Sequence, residues 1–382
     1  MRLANVVEAL ASVGEVDLFI AARPPDDPNR MDAAGGQVAR LGKVMVTRYP
    51  TASQSWAKRV TWFLHRNLPL EVYLRDLGEV QQVFRRFVDS EYDLAWISRI
   101  ENYVAFGSFL QCPTIVDLDD VTSVWLEGRF AARERDDPRS GPVANLKKRQ
   151  TRRNVKLWTT LQARVSASVK EVVVCSTADK LKLRFDNARV VPNGYEPPAV
   201  PAGRLQVGSP PTILLQGSLT YAPNVDAARY FVSHVMPLLR ERVPDTRVRL
   251  VGRASQDIVA LHKPPRVVVT GAVPSIEAEL RRADAIVAPL RFGGGTRIKV
   301  LEGFAHRIPV VTTTAGAFGL AAINEKHFLV ADTAASFAEA CIRLLTDVDV
   351  RRSLVDEAEK LFHESYEWGS IRRTVEQLAL SP

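Results

Sequence analysis

Twice along this chain, short apolar runs rich in β-branched residues alternate with stretches of helical period, and that alternation limits the fold more than any other feature. In the first half the runs are Val16 to Ala21, Lys43 to Thr47, Asp93 to Ser98, Thr114 to Leu118, Val172 to Ser176 and Arg189 to Pro192. In the second they are Thr212 to Gln216, Arg247 to Val251, Arg266 to Thr270, Ala285 to Ala288, Pro309 to Thr313 and His327 to Val330. Between them lie patterns such as Leu77, Val80, Phe84, Phe87 and Val88, spaced as one face of a helix. Strands that are apolar throughout, rather than on alternate residues, belong in parallel sheets covered on both faces by helices. The expected fold is therefore α/β, with two doubly wound parallel-sheet domains over 1–192 and 212–364. Its 382 residues, 46% of them hydrophobic, suffice for two cores. The proline- and glycine-rich stretch 193–211 reads as the linker.

One segment carries chemistry. Pro289-Leu290-Arg291-Phe292-Gly293-Gly294-Gly295-Thr296-Arg297-Ile298-Lys299-Val300-Leu301-Glu302 turns a buried strand into a glycine-rich loop and then a helix through Ala305. The glycines let backbone N–H groups approach a ligand closely, and Thr296 stands where an N-cap would start the helix. Arg297 and Lys299 add positive charge beside that amide cradle, a layout suited to phosphate. Glu302 stands among Val300, Leu301, Phe304 and Ala305, where a carboxylate needs a specific partner such as a pair of ribose hydroxyls. Taken alone, such a loop serves close packing as readily as phosphate.

The whole run resembles the donor-site segment of the retaining glycosyltransferases of family 4 (group 1), which have the GT-B fold, and is similar to their bacterial exopolysaccharide-type branch. The continuation Ile308-Pro309-Val310-Val311-Thr312-Thr313 and Gly316-Ala317-Phe318-Gly319-Leu320 is similar to the segment after that loop in the family. So are Val190-Val191-Pro192-Asn193-Gly194 to the family's hinge, and Leu214-Leu215-Gln216-Gly217-Ser218-Leu219 with Pro223-Asn224 to the opening of its donor domain. The resemblance implies two Rossmann-like domains facing across a cleft, with a C-terminal helix, 365–382, returning to the first domain. It implies transfer of a hexose from a nucleotide diphosphate sugar to a hydroxyl of a glycan or lipid-linked glycan, in polysaccharide or cell-envelope biosynthesis. Donor contacts would come from Gly217, Arg253, Gly293, Gly294, Gly295, Thr296 and Glu302. Arg297 and Lys299 would stabilise the departing diphosphate, and Asp117 or Asp120 would bind or polarise the acceptor hydroxyl.

Departures from the family pattern accompany the match. Where many members carry a first glutamate eight positions before Glu302, this chain has Gly294, and beside Gly252-Arg253 there is no matching lysine. Arg297 or Lys299 is expected to supply the missing cation. The family's first strand and its glycine turn precede a helix resembling Met1 to Leu10, so an apolar strand is expected upstream of Met1. Rival readings are a non-catalytic nucleotide-binding protein of the same fold and a sugar-nucleotide epimerase or phosphorylase.

Charge and composition narrow the partners. Between residues 121 and 170 there are 12 Lys or Arg against 4 Asp or Glu, an excess equal to the whole net charge of +8. Within it, Leu146 to Trp158 reads as a basic helix with an apolar edge, open to three readings: a solvated face, an anionic membrane surface, or nucleic acid. No base-stacking aromatic module accompanies it, so nucleic acid is not expected. Cys112, Cys175 and Cys341 lie far apart, which suits a reducing cytoplasm. No apolar run approaches the ~20 residues that span a bilayer, so a cytoplasmic, membrane-peripheral protein is expected. Asp117-Leu118-Asp119-Asp120 has the look of a metal-binding Asp-x-Asp motif. These aspartates end a strand of the first domain while the phosphate loop lies in the second, and no metal or other cofactor is expected. The six histidines show neither metal nor triad spacing.

Overall fold

All twelve expected runs form strands, and every pairing between strands is parallel. The computed structural model describes residues 2–22, 40–62, 64, 67–88, 91–119, 121–136, 141–293 and 297–381. The chain divides into two units, Met1–Pro192 with Ile371–Pro382, and Asn193–Ser370.

In the first unit β1 (Val16–Ala22) pairs with β2 (Leu41–Arg48), and a second sheet runs in the order β3 (Ala95–Ser98), β4 (Thr114–Asp117), β5 (Glu171–Val174), β6 (Ala188–Val190). The central strands β4 and β5 are buried at every residue, whereas β1 and β3 are half-buried along most of their length. Among the described residues β1 pairs only with β2 and β3 only with β4, so this unit holds two sheets instead of one continuous sheet. Strand parity sets what each β4 side chain meets. Val116 faces Trp158, Leu161 and Val165 of the long helix Pro142–Ser166. Asp117, the next residue, faces the other way, toward the helix Arg2–Val13. A second core gathers Phe19 of β1 against Phe84, Phe87 and Phe106. The chain end closes on the same unit, with Arg372 donating to Asn5 Oδ1 at 2.8 Å and Ser12 to Glu376 Oε1 at 2.9 Å.

The second unit has one six-stranded sheet in the order β12 (Leu329–Val330), β11 (Val310–Thr312), β10 (Ala285–Ala288), β7 (Thr212–Gln216), β8 (Arg247–Val251), β9 (Val267–Gly271). Chain order reverses between β7 and β10, and ligands of open α/β sheets bind outside the carboxyl ends of strands at such a switch point. Ile213, Leu215, Ala285 and Val287 join one core, while Leu214, Ile286 and Ala288 join another on the opposite face. The helix Ile298–Ala305 covers that opposite face with Val300, Leu301, Phe304 and Ala305. Gln216 shares strand parity with Leu214 and so points to the same helix.

The stretch expected as a linker is packed onto the second unit. Asp284, fully buried, accepts from the Gly208 and Thr212 amides at 2.8 and 2.7 Å and from Arg204 Nε at 3.1 Å. Buried Arg351 donates to the carbonyls of Leu205, Asp284, Leu344 and Arg204 at 2.8 to 3.0 Å. Prolines and glycines remove local donors and helical propensity, but these long side chains supply the missing partners from elsewhere in the unit.

Candidate functional site

The switch point of the second unit brings together the ends of β7 and β10. Gly217 directly follows β7, and its φ of 128° is open to glycine and strained for other residues. A Cβ there would lie 3.1 Å from Asn224 Nδ2 and 3.6 Å from Lys299 Nζ, so this residue borders a lysine amine. Asn224, in the first turn of the helix Ala222–Tyr230, holds the arrangement: its Oδ1 accepts from Lys299 Nζ at 2.7 Å and its Nδ2 donates to the Ser218 carbonyl at 3.0 Å. Burial, and next the nearby Arg297, pull the Lys299 ammonium down to about 7, against Glu302, which raises it. Lys299 is thus a cation poised to lose or regain its charge near neutral pH.

One helical turn on, Glu302 is buried and held at both oxygens. Gln216 Nε2 donates to Oε2 at 2.9 Å, as the parity of β7 dictates, and the Tyr195 hydroxyl donates to Oε1 at 3.2 Å. Burial pushes the Glu302 carboxyl up, opposed by these two hydrogen bonds and by Lys299. Each oxygen keeps a lone pair, so a fixed carboxylate remains an acceptor for a diol. Burial beside Glu302 pushes the Tyr195 phenol well up, and burial pulls His306, 3.5 Å from that hydroxyl, down.

Arg297 sits deeper than the sequence suggests. It occupies the N-cap position of the helix, where the sequence pattern puts Thr296, and its Nη2 donates to the Gly293 and Ala315 carbonyls, each at 3.0 Å. These bonds tie the start of the glycine loop to the segment after β11. There Thr313 caps the helix Thr314–Ala317 through the Gly316 amide at 2.9 Å. Gly293 has φ 133°. Arg253 is exposed just past β8, after Gly252, where a Cβ would meet the Gly217 carbonyl at 1.9 Å. Gly294, Gly295 and Thr296 lie outside the described residues, as does Asp120.

In the first unit a cavity of about 290 Å³ opens at the ends of β3 and β4, lined by Arg2, Trp96, Ser98, Arg99, Asp117 and Asp119 among others. Asp117 is not free there: Arg2 Nε and Nη2 each reach one of its oxygens at 2.9 Å, and the Asp119 amide donates to Oδ1 at 3.1 Å. Arg2 Nη1 also donates to the carbonyls of Val191 and Pro192, at 3.0 and 3.2 Å. Burial pushes the Asp117 carboxyl up while Arg2 opposes it. Asp119, with φ 52°, accepts a weak contact from Cys175 Sγ at 3.6 Å. Arg99, with φ 71°, is exposed at the rim. Among the described residues no cluster of three or more metal-ligating side chains occurs.

The residue types of Tyr195, Gln216, Asn224 and Arg2 do not by themselves mark them as functional. Gln216 and Asn224 lie inside the family-like stretch that opens the second unit, and strand parity is the signal that could select Gln216. Nothing local marks Arg2 or Tyr195, whose partners lie 115 and 107 residues away.

Residues 210–347, which lie within the second unit, match the family model described as Glycosyl transferases group 1. This match supports glycosyl transfer. Among solved structures the chain is similar to a sucrose-phosphate synthase from Thermosynechococcus elongatus, at 16% identity over 99% of this chain and 91% of that one, with a TM-score of 0.66. It is similar to HepE of Anabaena, solved in complex with UDP and glucose, at 15% identity over 100% and 95%, with a TM-score of 0.61. WaaG, a glycosyltransferase involved in lipopolysaccharide biosynthesis, aligns at 13% identity over 96% and 100%, with a TM-score of 0.58. These likenesses show the fold, which is GT-B. No curated protein sequence matches the chain.

Proposed function

We propose that this chain is a hexosyltransferase that moves a sugar, with retention of configuration, from a nucleotide diphosphate sugar to a hydroxyl of a glycan or lipid-linked glycan in polysaccharide or cell-envelope biosynthesis. The observation that carries the reading is the Lys299 amine beside Gly217 at the switch point, one helical turn from a carboxylate held by Gln216 and Tyr195. Glu302 accepts the ribose hydroxyls, Lys299 meets the diphosphate, and Arg297 keeps the loop in shape through the carbonyls it binds. The HepE structure with UDP and glucose and the group 1 domain match favour such a donor.

In the reaction the bond from the sugar's anomeric carbon to the diphosphate breaks, the acceptor oxygen bonds to that carbon on the same face, and the departing diphosphate takes the acceptor's proton. No protein nucleophile is needed. Protonated Lys299 offsets the charge that develops on the leaving group, and no metal ion is required for that. The acceptor binds the cavity at the ends of β3 and β4, with Asp119 and Arg99 facing its hydroxyls. The Arg2 pair makes Asp117 a support for that cavity. We place the protein in the cytoplasm, peripheral on the inner face of the cytoplasmic membrane.

The test is donor consumption, with nucleotide and product analysed together. Release of nucleoside diphosphate with sugar joined to a glycan acceptor supports transfer. Nucleotide bound without turnover would make this a binding protein, and free nucleotide with an altered free sugar would make it an epimerase.

A further inference from the structure

A short surface element of the first unit has two opposed faces. In the helix Trp56–Thr61 and the turn after it, Trp62 is fully buried and donates to the Leu68 carbonyl at 2.9 Å. On the other side Trp56, Val60 and Leu64 are 77%, 56% and 80% exposed. Trp56 and Val60, four apart, share the outer face of the helix, and Leu64 adds an exposed apolar side chain in the turn that follows. Lys58 and Arg59, on the same turn, are exposed.

This element is tied to the basic helix Pro142–Ser166. The Arg153 guanidinium lies 4.6 Å from the Trp62 ring centre and donates to the Trp62 carbonyl at 3.2 Å. Asn154 Oδ1 accepts from the Leu70 amide at 3.0 Å, and Arg164 donates to the Asn67 carbonyl at 2.9 Å. Arg149 and Lys156, four residues before Arg153 and three after, are exposed on the helix face that carries it. An exposed tryptophan-bearing patch therefore stands beside a row of cations. A solvated basic face has no use for the patch, and a purely apolar partner has no use for the cations. An anionic lipid surface uses both, since headgroups attract Lys and Arg while an amphipathic tryptophan seats at the boundary of the acyl chains.

We propose that Trp56, Val60 and Leu64 form a wedge that inserts into an anionic bilayer while Arg59, Arg149 and Lys156 engage its headgroups. This deepens the membrane-peripheral reading and rests on it, naming the element that enters the lipid.

Flotation with phosphatidylcholine vesicles, with and without phosphatidylglycerol, tests it on the full chain. Binding to the anionic vesicles alone is expected, weakened by salt, with quenching of tryptophan fluorescence by brominated acyl chains. The triple variant Trp56→Ser, Val60→Ser, Leu64→Ser should lose about tenfold or more in partition along with most of that quenching. The variant Arg59→Gln, Arg149→Gln, Lys156→Gln should lose the anionic preference. All six residues are exposed, so melting temperatures should hold. Equal binding to neutral vesicles, an unchanged partition in the serine variant, or concentration-dependent dimerisation that requires Trp56 would overturn the proposal, the last by showing a second copy as the occupant. Transfer to a soluble acceptor should be the same in both variants and the parent. Its absence in the parent would count against the transferase reading while leaving the lipid result intact.

Discussion

Both units set a charged group at the end of a buried parallel strand, and they treat those charges in opposite ways. At the end of β4 the Asp117 carboxylate is closed on itself, with Arg2 reaching both oxygens and the carbonyls of Val191 and Pro192 as well. At the end of β7 the Lys299 amine has a neutral partner, the Asn224 amide oxygen, and stands beside a glycine with no Cβ to fill the space. Its ammonium is pulled to about 7. A buried charge with a full opposite partner is a structural fixture. One whose charge is only half supported is stabilised further by an incoming anion. Under the proposed function, the contrast separates a charge used in folding from one kept for a ligand.

The largest expected effect breaks the closed pair. Arg2→Met leaves Asp117 buried without its cation, and the urea midpoint should fall by the equivalent of about 3–5 kcal/mol. A loss under about 1 kcal/mol would show that water already shares the pair.

Next comes Glu302→Gln, which keeps the size of the side chain and removes the charge that, under the proposed function, accepts ribose hydroxyls. Calorimetry should show nucleoside diphosphate affinity weakened by about 1.5–3 kcal/mol, with folding retained. Unchanged affinity would remove Glu302 from the site.

A smaller effect sharpens the contrast with Arg2. Lys299→Met swaps a poorly supported cation for a side chain of similar length, so thermal stability should change by less than about 1.5 kcal/mol even though donor binding is weakened. A loss as large as that of Arg2→Met would mean that Lys299 is a structural fixture too.

The smallest effect is none: transfer should persist in excess chelator, since in the proposed mechanism a protonated amine meets the leaving group. Activity abolished by chelation and restored by Mn²⁺ would return the Asp117 to Asp120 cluster to consideration.

Much of the fold is legible in the sequence because buried parallel strands read as unbroken apolar runs, which is why Thr114 to Leu118 and Ala285 to Ala288 stand out. Glu302 is legible because a carboxylate among Val300, Leu301 and Phe304 needs a partner. The partner that fills that need is not, because Tyr195 comes from a stretch that composition assigns to a linker. That stretch misleads as a whole, since Asp284 and Arg351 satisfy its backbone from positions no local pattern links to it. Charge and a place after the glycines point Arg297 at phosphate. Its bonds to the Gly293 and Ala315 carbonyls depend on the close approach of two loops, which spacing cannot reveal.

The central claim is that Lys299 carries the charge that meets the diphosphate, and proton linkage tests it most directly. A nucleotide diphosphate sugar binds best to the protonated amine, so affinity should be full below about pH 7 and fall as pH rises through that value, by about tenfold between pH 6 and pH 8. Burial raises the Glu302 carboxyl and lowers the His306 imidazole, and comparison with Lys299→Met separates their protons from that of the amine. Calorimetry in two buffers of different ionisation enthalpy should then show close to one proton taken up per donor bound near pH 8, and none in Lys299→Met. Affinity that is flat from pH 6 to pH 8, or proton uptake that survives in Lys299→Met, would contradict the account.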